Sequence, residues 1–261
     1  MPTTRPTAGD VYIPFARAPL RAPYGDARLS EEEKRLLDDP GPGIFVDCLH
    51  FDGPFFAHLG SISRDPQLLG IAAEQTLGTI ALLQDPETGL FAHFWLEKTG
   101  RTYGYGWGRG QGWALLGLLH VLEYLPNDHP AWPAIHRALR QLAHGLAATQ
   151  DPSGHWPAIA PEPETDLETS TALFVTAGFA KAIASGLLDD ELREACERAW
   201  AAGMSAVDAN GLVTGVSTAV WASTALGHYR AVPRGSLVPW GQGPLLLAAK
   251  AMLDAAEVPE P

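Results

Sequence analysis

The sequence QDPETGLF at residues 84–91 decides the fold, because two later stretches repeat its pattern. Residues 150–156 read QDPSGHW and residues 208–213 read DANGLV, and each copy follows an apolar run with helical spacing. The aspartates of the copies stand at positions 85, 151 and 208, which are 66 and 57 residues apart. This spacing is typical of a repeat of two helices with a turn and a short extended segment. Helical hairpins that repeat and close on themselves form a toroid, so we expect an all-α toroid.

Apolar residues at helical spacing predict the helices that surround these turns. The predicted helices are residues 52–59, 66–83, 112–124, 131–148, 168–184, 189–206, 213–226 and 241–255. Asp65 and Pro66 suit the N-cap and the first helical position of the second of these. Residues 30–33 (SEEE) have the form of a capping box before a short helix, which Pro40 and Pro42 are expected to stop.

The prolines also suggest how the chain is divided. Residues 1–43 are rich in proline and show little periodicity, so we interpret them as an extended or partly ordered N-terminal arm. Residues 44–261 contain no linker-like stretch, and we expect them to form a single toroid domain of catalytic type.

The composition excludes several classes of protein. The chain has 261 residues, of which 46% are hydrophobic and 18% charged, as in a globular protein with a sizeable core. No apolar run is long enough for a membrane helix, and the N-terminus lacks the apolar region of a secretory signal. Two cysteines, Cys48 and Cys196, do not make a disulfide framework, which favours a cytoplasmic location. A net charge of −12 argues against nucleic acid and anionic membrane as partners.

The sequence also lacks the motifs of metal and phosphate sites. It contains no HExxH, no CxxC and no phosphate-binding GxxxxGK[ST] loop, so we expect neither a metal nor a cofactor. In so acidic a chain an anionic ligand needs a local cation, and this requirement draws attention to Arg109.

Arg109 lies in the glycine-rich stretch GYGWGRGQGW at residues 104–113. Glycine at this density costs backbone entropy, so it indicates a close approach of the backbone to something else. Flat rings at Trp107 and Trp113 beside a planar guanidinium suit a sugar face and a carboxylate. The alternative is a tight loop at a helix entry with two tryptophans in the core.

Three further residues, Asp47, His93 and Glu168, are candidates for a site, and Asp52 competes with the first of them. Asp47 is a carboxylate inside an apolar run, where desolvation raises a pKa towards that of a general acid, but it is also placed to cap a helix. Asp52 resembles a plain helix cap before Gly53 and Pro54. His93 stands between aromatic residues, where a histidine is more often a core residue with satisfied hydrogen bonds. Glu168 begins a helix, where a carboxylate is also explained by the helix dipole.

Taken together, these residues resemble the unsaturated uronyl hydrolases, the glycoside hydrolase family 88/105 group. FVDCLHFDGPF at residues 45–55 is similar to the family pattern W-x-D-x-L-[YF]-M-x-x-P-F, and FAHFW at 91–95 to Y-H-x-W. WGRGQGW at 107–113 matches W-[AG]-R-G-[NQ]-G-W, which is the most specific piece. LETS at 167–170 resembles L-E-[TS]-S, and WGQG at 240–243 resembles the late Y-G-Q-G. The pieces follow the family order over residues 44–255.

The resemblance implies an (α/α)₆ barrel and removal of a 4,5-unsaturated uronic acid from the non-reducing end of an acidic oligosaccharide. In that family an aspartic acid protonates C4 of the enol ether, a water activated by a carboxylate adds at C5, and the hemiketal opens. Asp47 matches the position of the acid. The positions that match sugar-binding residues are His93, Trp107, Arg109, Trp113, Glu168 and Trp240.

The resemblance also implies that the barrel is incomplete at its N-terminus, since members carry further helices and a second aspartate before the segment of Asp47. An open barrel exposes apolar helix faces, so self-association into a homo-oligomer is a further expectation. Two other functions fit the same sequence: an inactive relative that binds acidic sugar or serves in assembly, and an α-toroid enzyme on ordinary sugars, such as an epimerase or glucanase.

Overall fold

A computed structural model of the chain describes residues 20–25, 28–162, 166–235 and 237–256. Within these ranges the main elements are α-helices, and the all-α prediction is confirmed. The helices are α1 Glu31–Asp38, α2 Cys48–Ser63, α3 Pro66–Leu83, α4 Gly108–Tyr124, α5 Trp132–Ala148, α6 Thr169–Ala184, α7 Arg193–Ser205, α8 Leu226–Arg230 and α9 Pro239–Ala256. Residues 1–19 of the expected arm lie outside the described residues.

The longer helices pack in two layers. Helices α2, α4, α6 and α9 contact one another in that order and form an inner layer. The outer layer consists of α3, α5 and α7, each packed against the inner helix that precedes it in the chain. The inner position explains why α4 and α6 are buried along almost their whole length.

Short strands close the ends of the helical hairpins. They are β1 Gly43–Phe45, β2 Phe94–Leu96, β3 Arg101–Tyr103, β4 Trp156–Pro157 and β5 Leu167–Glu168. The first three form an antiparallel sheet in the order β1-β2-β3, in which Phe45 pairs with Phe94 and Phe94 with Tyr103. This sheet places the start of α2 beside the residues that precede α4.

The repeated turns are confirmed, and their glutamines show why the pattern recurs. Nε2 of Gln84 donates to the carbonyl oxygens of Gly89, within its own turn, and of Ala138, on α5, both at 2.9 Å. Nε2 of Gln150 donates in the same way to Gly154 at 3.1 Å and to Ala195, on α7, at 3.0 Å. Each of these two turns is therefore fastened to the outer helix of the next hairpin, whereas the third turn, at residues 208–213, has no such glutamine.

The similar sequences at residues 110–113 and 240–243 also have the same structural role. Gln111 pairs through its amide with the backbone N–H and C=O of Phe91, both at 2.8 Å. Gln242 accepts from the N–H of Val213 at 2.6 Å and donates to Gly211. In both cases an early residue of an inner helix holds the extended segment that follows a repeated turn.

Two helix predictions were wrong. The helix predicted at 52–59 begins earlier, at Cys48, with Asp47 at its N-cap, so Asp52 is not a cap but lies inside α2. The helix predicted at 213–226 is instead a loop with isolated bridges, followed by the short α8. Its backbone groups bond to side chains distant in sequence; for example, the carbonyl oxygen of Ser217 accepts from Trp240 at 2.8 Å.

The two terminal helices of the inner layer expose apolar side chains. They are Phe51, Phe55 and Ile62 on α2 and Leu246, Leu247 and Leu253 on α9, which are 48–71% exposed. In the described part of the chain, no helix combines the length and the apolar character that crossing a bilayer requires.

Candidate active site

A cavity of about 500 Å³ opens where the starts of α2, α4 and α9 meet the loop before α8. Its size suits a ligand of one or two sugar rings. Six of the seven residues predicted from sequence lie in its wall: Asp47, His93, Trp107, Arg109, Trp113 and Trp240. The wall also contains Phe45, Cys48, Phe51, Asp52 and residues 219–222.

Asp47 sits at the N-cap of α2 but does not cap it with its side chain. About a third of the side chain (34%) is accessible, whereas Oδ2 is buried and has no hydrogen-bond partner among the described residues. Burial raises the pKa of Asp47 from 3.8 to about 6, while its own backbone amide and the charge of Arg109 oppose the rise. A carboxyl with such a pKa is suited to give up a proton near neutral pH.

His93 lies beside this carboxyl on the segment between α3 and β2. Its Nε2 is 3.6 Å from Oδ2 of Asp47, and its Nδ1 is 2.7 Å from the hydroxyl of Tyr229. Burial lowers the pKa of His93 to about 3, and the nearby His228 and Arg109 lower it further. His93 is therefore a neutral imidazole above about pH 4, and its contact with Asp47 is a dipolar contact rather than an ion pair.

Arg109 is held by the protein on the inner wall. Its Nη1 donates to the hydroxyl and the carbonyl oxygen of Ser217 at 2.7 and 3.2 Å, and its Nη2 to the carbonyl of Thr218 at 2.9 Å. The guanidinium carbon lies 5.3 Å from the ring centres of both Trp107 and Trp240. Arg109 is thus a fixed positive group bordered by two aromatic rings, with only a small part of its surface turned to the cavity.

Glu168 does not line the cavity. It is 2% exposed, caps α6 through the N–H of Thr171, and lies 3.3 Å from Nη1 of Arg109. It also accepts from the backbone and the hydroxyl of Ser217 at 3.0 and 3.1 Å. The structure therefore places Glu168 behind Arg109, where it fixes the guanidinium, and not against the space that a substrate would fill.

The glycines of the stretch at residues 104–113 approach protein rather than the cavity. A Cβ at Gly108 would lie 2.7 Å from the hydroxyl of Thr171, and one at Gly112 would lie 2.5 Å from Cβ of Phe174. Both glycines belong to α4, which begins four residues before the predicted start. Their role is to bring α4 against α6, and this contact orients Arg109 towards Glu168.

Two parts of the wall were missed by sequence reasoning. Asp52 lines the cavity from within α2, where burial raises its pKa and a hydrogen bond with Cys48 opposes the rise. Trp221 lines it from the loop before α8, with a positive φ of 53° and Arg21 stacked 4.0 Å from its ring centre. The position of Asp52 could have been found from the helical pattern only if the start of α2 had been placed correctly.

The structure offers no strong metal site in the residues it describes. His144, Asp189 and Glu191 have ligand atoms within 4.8 Å of one another, but all three are exposed and lie on the outer layer. Asp189 is paired with Arg140 at 2.5 Å. The cluster is explained as surface charge pairing.

Comparisons with known proteins identify the family of the chain. The family model for Glycosyl Hydrolase Family 88 matches residues 43–256. The unsaturated rhamnogalacturonyl hydrolase YesR of Bacillus subtilis is 31% identical over 201 residues, which cover 76% of this chain and 56% of that protein. An unsaturated 3S-rhamnoglycuronyl hydrolase of an Alteromonas species is 27% identical over 80% of this chain and 51% of its own length.

The fold has solved counterparts as well. A structure described as a possible member of the GH105 family from Klebsiella pneumoniae superposes with a TM-score of 0.78 at 24% identity, covering 84% of this chain and 58% of that one. The chain therefore belongs to glycosyl hydrolase family 88 and has the helical toroid fold. It spans about half the length of the curated relatives it matches.

Proposed function

We propose that this protein removes a 4,5-unsaturated uronic acid from the non-reducing end of an acidic oligosaccharide by hydration of the enol ether. The observation that carries the proposal is the carboxyl of Asp47, which has a raised pKa and opens into a cavity bordered by a fixed guanidinium and tryptophan rings. Membership of glycosyl hydrolase family 88 supports the same reaction.

The reaction begins with proton transfer from Asp47. The protonated carboxyl gives its proton to C4 of the unsaturated sugar, and positive charge develops at C5. The oxygen of a water adds to C5, and one proton of that water passes to a carboxylate. The resulting hemiketal opens to a ketone at C5 and leaves a hemiacetal at C1. The hemiacetal breaks down to an aldehyde and releases the remainder of the oligosaccharide as an alcohol, so that one water is consumed for each sugar removed.

We assign the second carboxylate to Asp52. Of the described residues in the cavity wall, Asp47 and Asp52 are the two that carry carboxyl groups. They lie five positions apart at the start of α2, which corresponds to roughly 8 to 9 Å between their Cα atoms at helical rise and radius. Both residues line the cavity in which the sugar and the water would lie.

The acidic group of the sugar would lie near Arg109. The guanidinium supplies positive charge, and Trp107 and Trp240 beside it offer flat apolar surface to the sugar ring. Because Glu168 already balances part of this charge, the attraction for a uronate depends on the short range and fixed direction of the remaining N–H groups.

The test is turnover of an unsaturated rhamnogalacturonan disaccharide, the class named for the Bacillus relative. The ultraviolet absorbance of the unsaturated uronate is expected to decay with the protein and to persist with Asp47→Asn. The matched control is Asp128→Asn, which alters an exposed aspartate in the connection between α4 and α5. Absence of decay on unsaturated uronyl disaccharides of pectin and of glycosaminoglycans, or equal decay with Asp47→Asn, would overturn the proposal.

A further inference from the structure

Tyr229, on α8, is a buried residue that the reaction above does not use. It is 2% exposed and absent from the cavity wall, yet its hydroxyl lies 2.7 Å from Nδ1 of His93. On the other side of the imidazole, Nε2 faces Oδ2 of Asp47 at 3.6 Å. A line of three side chains therefore runs from the interior to the carboxyl in the cavity.

The hydroxyl of Tyr229 has two acceptors within reach. One is Nδ1 of His93 at 2.7 Å, and the other is the carbonyl oxygen of Ser223 at 3.4 Å. Hydrogen bonds of hydroxyl groups are strongest near 2.7 Å and weak at 3.4 Å. An O–H that points to His93 makes Nδ1 an acceptor and leaves the imidazole proton on Nε2.

The surrounding backbone is built to admit this hydroxyl. Gly104 has a φ of +62°, and a Cβ there would lie 2.3 Å from the hydroxyl of Tyr229 and 2.8 Å from Cβ of His93. A side chain at this position would push the two partners apart. The first glycine of the stretch at residues 104–113 thus has its explanation in the contact between Tyr229 and His93.

We propose that Tyr229 is a positioning residue that holds His93 in the Nε2–H tautomer, so that Nε2–H faces Oδ2 of Asp47 as this carboxyl gives up its proton. The inference rests on the proposed function for its kinetic consequences, whereas the tautomer itself does not depend on turnover. A proton fixed on Nε2 disfavours a proton on the facing Oδ2, so we expect the acidic proton of Asp47 on Oδ1. After transfer, Nε2–H stabilises the carboxylate that remains.

The other charged and titratable groups around His93 and Asp47 are unchanged in Tyr229→Phe, the variant tested below. Arg109 and His228 act on His93, and Arg109 acts on Asp47. Cys48 and Asp52 are the nearest groups along α2. A change seen on removal of the hydroxyl therefore reports on the line from Tyr229 to Asp47.

The first experiment is nitrogen-15 NMR of the imidazole of His93 in the full chain. We expect the protonated nitrogen to be Nε2 in the unaltered protein and a mixture of tautomers in Tyr229→Phe. A proton on Nδ1 in the unaltered protein, or an unchanged tautomer in the variant, would contradict the proposal. The measurement on the unaltered protein decides the question even if the variant fails to fold.

The second experiment compares the kinetics of Tyr229→Phe with those of Tyr103→Phe. The control variant loses a 3.1 Å hydrogen bond from the hydroxyl of Tyr103 to Thr99, and this bond lies away from the cavity. In Tyr229→Phe we expect kcat to fall about tenfold with little change in KM. We also expect the alkaline limb of the pH profile to move upwards, because an unprotonated Nε2 can then accept a hydrogen bond from the protonated carboxyl of Asp47 and so raise its pKa. An unchanged profile in an active protein would overturn the kinetic role. If the unaltered protein has no activity, the proposed function fails, whereas the NMR result still tests the tautomer.

Discussion

Nη1 of Arg109 lies 3.3 Å from Oε1 of Glu168, and both side chains are only 3% exposed. The pair joins α4 to the start of α6, and Arg109 alone of the two lines the cavity. A buried charge whose partner is removed remains unpaired, and the cost is about 3–5 kcal/mol. This relationship determines how any variant of Arg109 must be interpreted.

We expect Arg109→Ala to lower the free energy of unfolding by about 3–5 kcal/mol, because Glu168 then stays buried without its counter-charge. Urea denaturation of the single variants and of Arg109→Ala combined with Glu168→Gln measures the coupling. The double variant should recover part of the loss. Strictly additive losses of unfolding free energy would show that Arg109 and Glu168 do not stabilise each other. Ligand binding by Arg109→Ala should therefore be compared only under conditions in which the variant is folded.

Asp47→Asn is expected to stabilise the protein at neutral pH while it removes activity. The raised pKa means that the folded chain binds more protons than the unfolded chain between about pH 3.8 and 6, so stability falls as the pH rises through this window. Asparagine does not carry this cost. Since a third of the side chain is accessible, we expect a gain on the order of 1 kcal/mol at about pH 8 and none at about pH 4.

Thermal unfolding of both proteins across this range measures the difference. A variant that is less stable than the original protein at about pH 8 would contradict a burial-raised pKa, since it would mean that the ionised carboxylate is stabilised in the fold. Asp128→Asn again serves as the control.

The pH dependence of kcat/KM follows from the same carboxyl. Because the role proposed for Asp47 is that of an acid, kcat/KM should fall tenfold per pH unit above about pH 6. His93 contributes no limb in this range, since its pKa of about 3 keeps the imidazole neutral. Initial rates on the unsaturated disaccharide at constant ionic strength provide the measurement, and a profile that rises through pH 6 would contradict the assignment.

The sequence predicted a helix end correctly where the residues that fix that end are neighbours in the chain. Asp65 does cap α3 by accepting from the N–H of Gln67 at 2.9 Å, and Pro66 is the first residue of that helix, as predicted. The capping box at Ser30 and Glu33 is also confirmed. In these cases the residues that fix the helix end are neighbours in the chain.

The segment 213–226 shows where such reasoning fails. Its small apolar residues suggest a helix, but its conformation is set by contacts more than twenty residues away. The N–H of Ser217 donates to Glu168, and the carbonyl oxygens of Ser217 and Thr218 accept from Arg109. The hydrophobic pattern of residues 213–226 does not indicate these partners, because they are distant in the sequence.

The site was predicted in the same uneven way. Family-like motifs contain Asp47, His93, Arg109 and the tryptophans, and the structure gathers them around one cavity. Tyr229 belongs to no motif quoted from the sequence. Its importance appears only when the fold brings its hydroxyl to a residue 136 positions away.

Asp52→Asn tests the assignment of the second carboxylate. We expect kcat to fall about 100-fold, which is within the usual contribution of a general base, and the acidic limb of the pH profile to flatten. The alkaline limb should remain, because Asp47 is intact. The comparison with Asp128→Asn excludes a general effect of lost negative charge. A variant with full activity would mean that the water is activated by another group.

Trp221 offers a last prediction, in which stability and binding respond differently. It is one of two described residues other than glycine with a positive φ, and it is 45% exposed in the wall of the cavity with Arg21 against its ring. A bulky residue in this conformation costs about 1–3 kcal/mol and is retained mostly at functional positions. We therefore expect the indole ring of Trp221 to contact the sugar to which the unsaturated uronate is linked in the substrate.

Two substitutions separate the backbone from the ring. Trp221→Gly and Trp221→Ala both remove the ring and should raise KM about fivefold to tenfold with kcat little changed, which corresponds to about 1 kcal/mol of stacking. Glycine adopts a positive φ without strain, whereas alanine does not. Urea denaturation should therefore find Trp221→Gly at least as stable as Trp221→Ala, although glycine is ordinarily the weaker residue. If Trp221→Ala is more stable than Trp221→Gly by about 1 kcal/mol, the backbone at position 221 is not strained. If KM is unchanged in both variants, the ring does not bind the substrate.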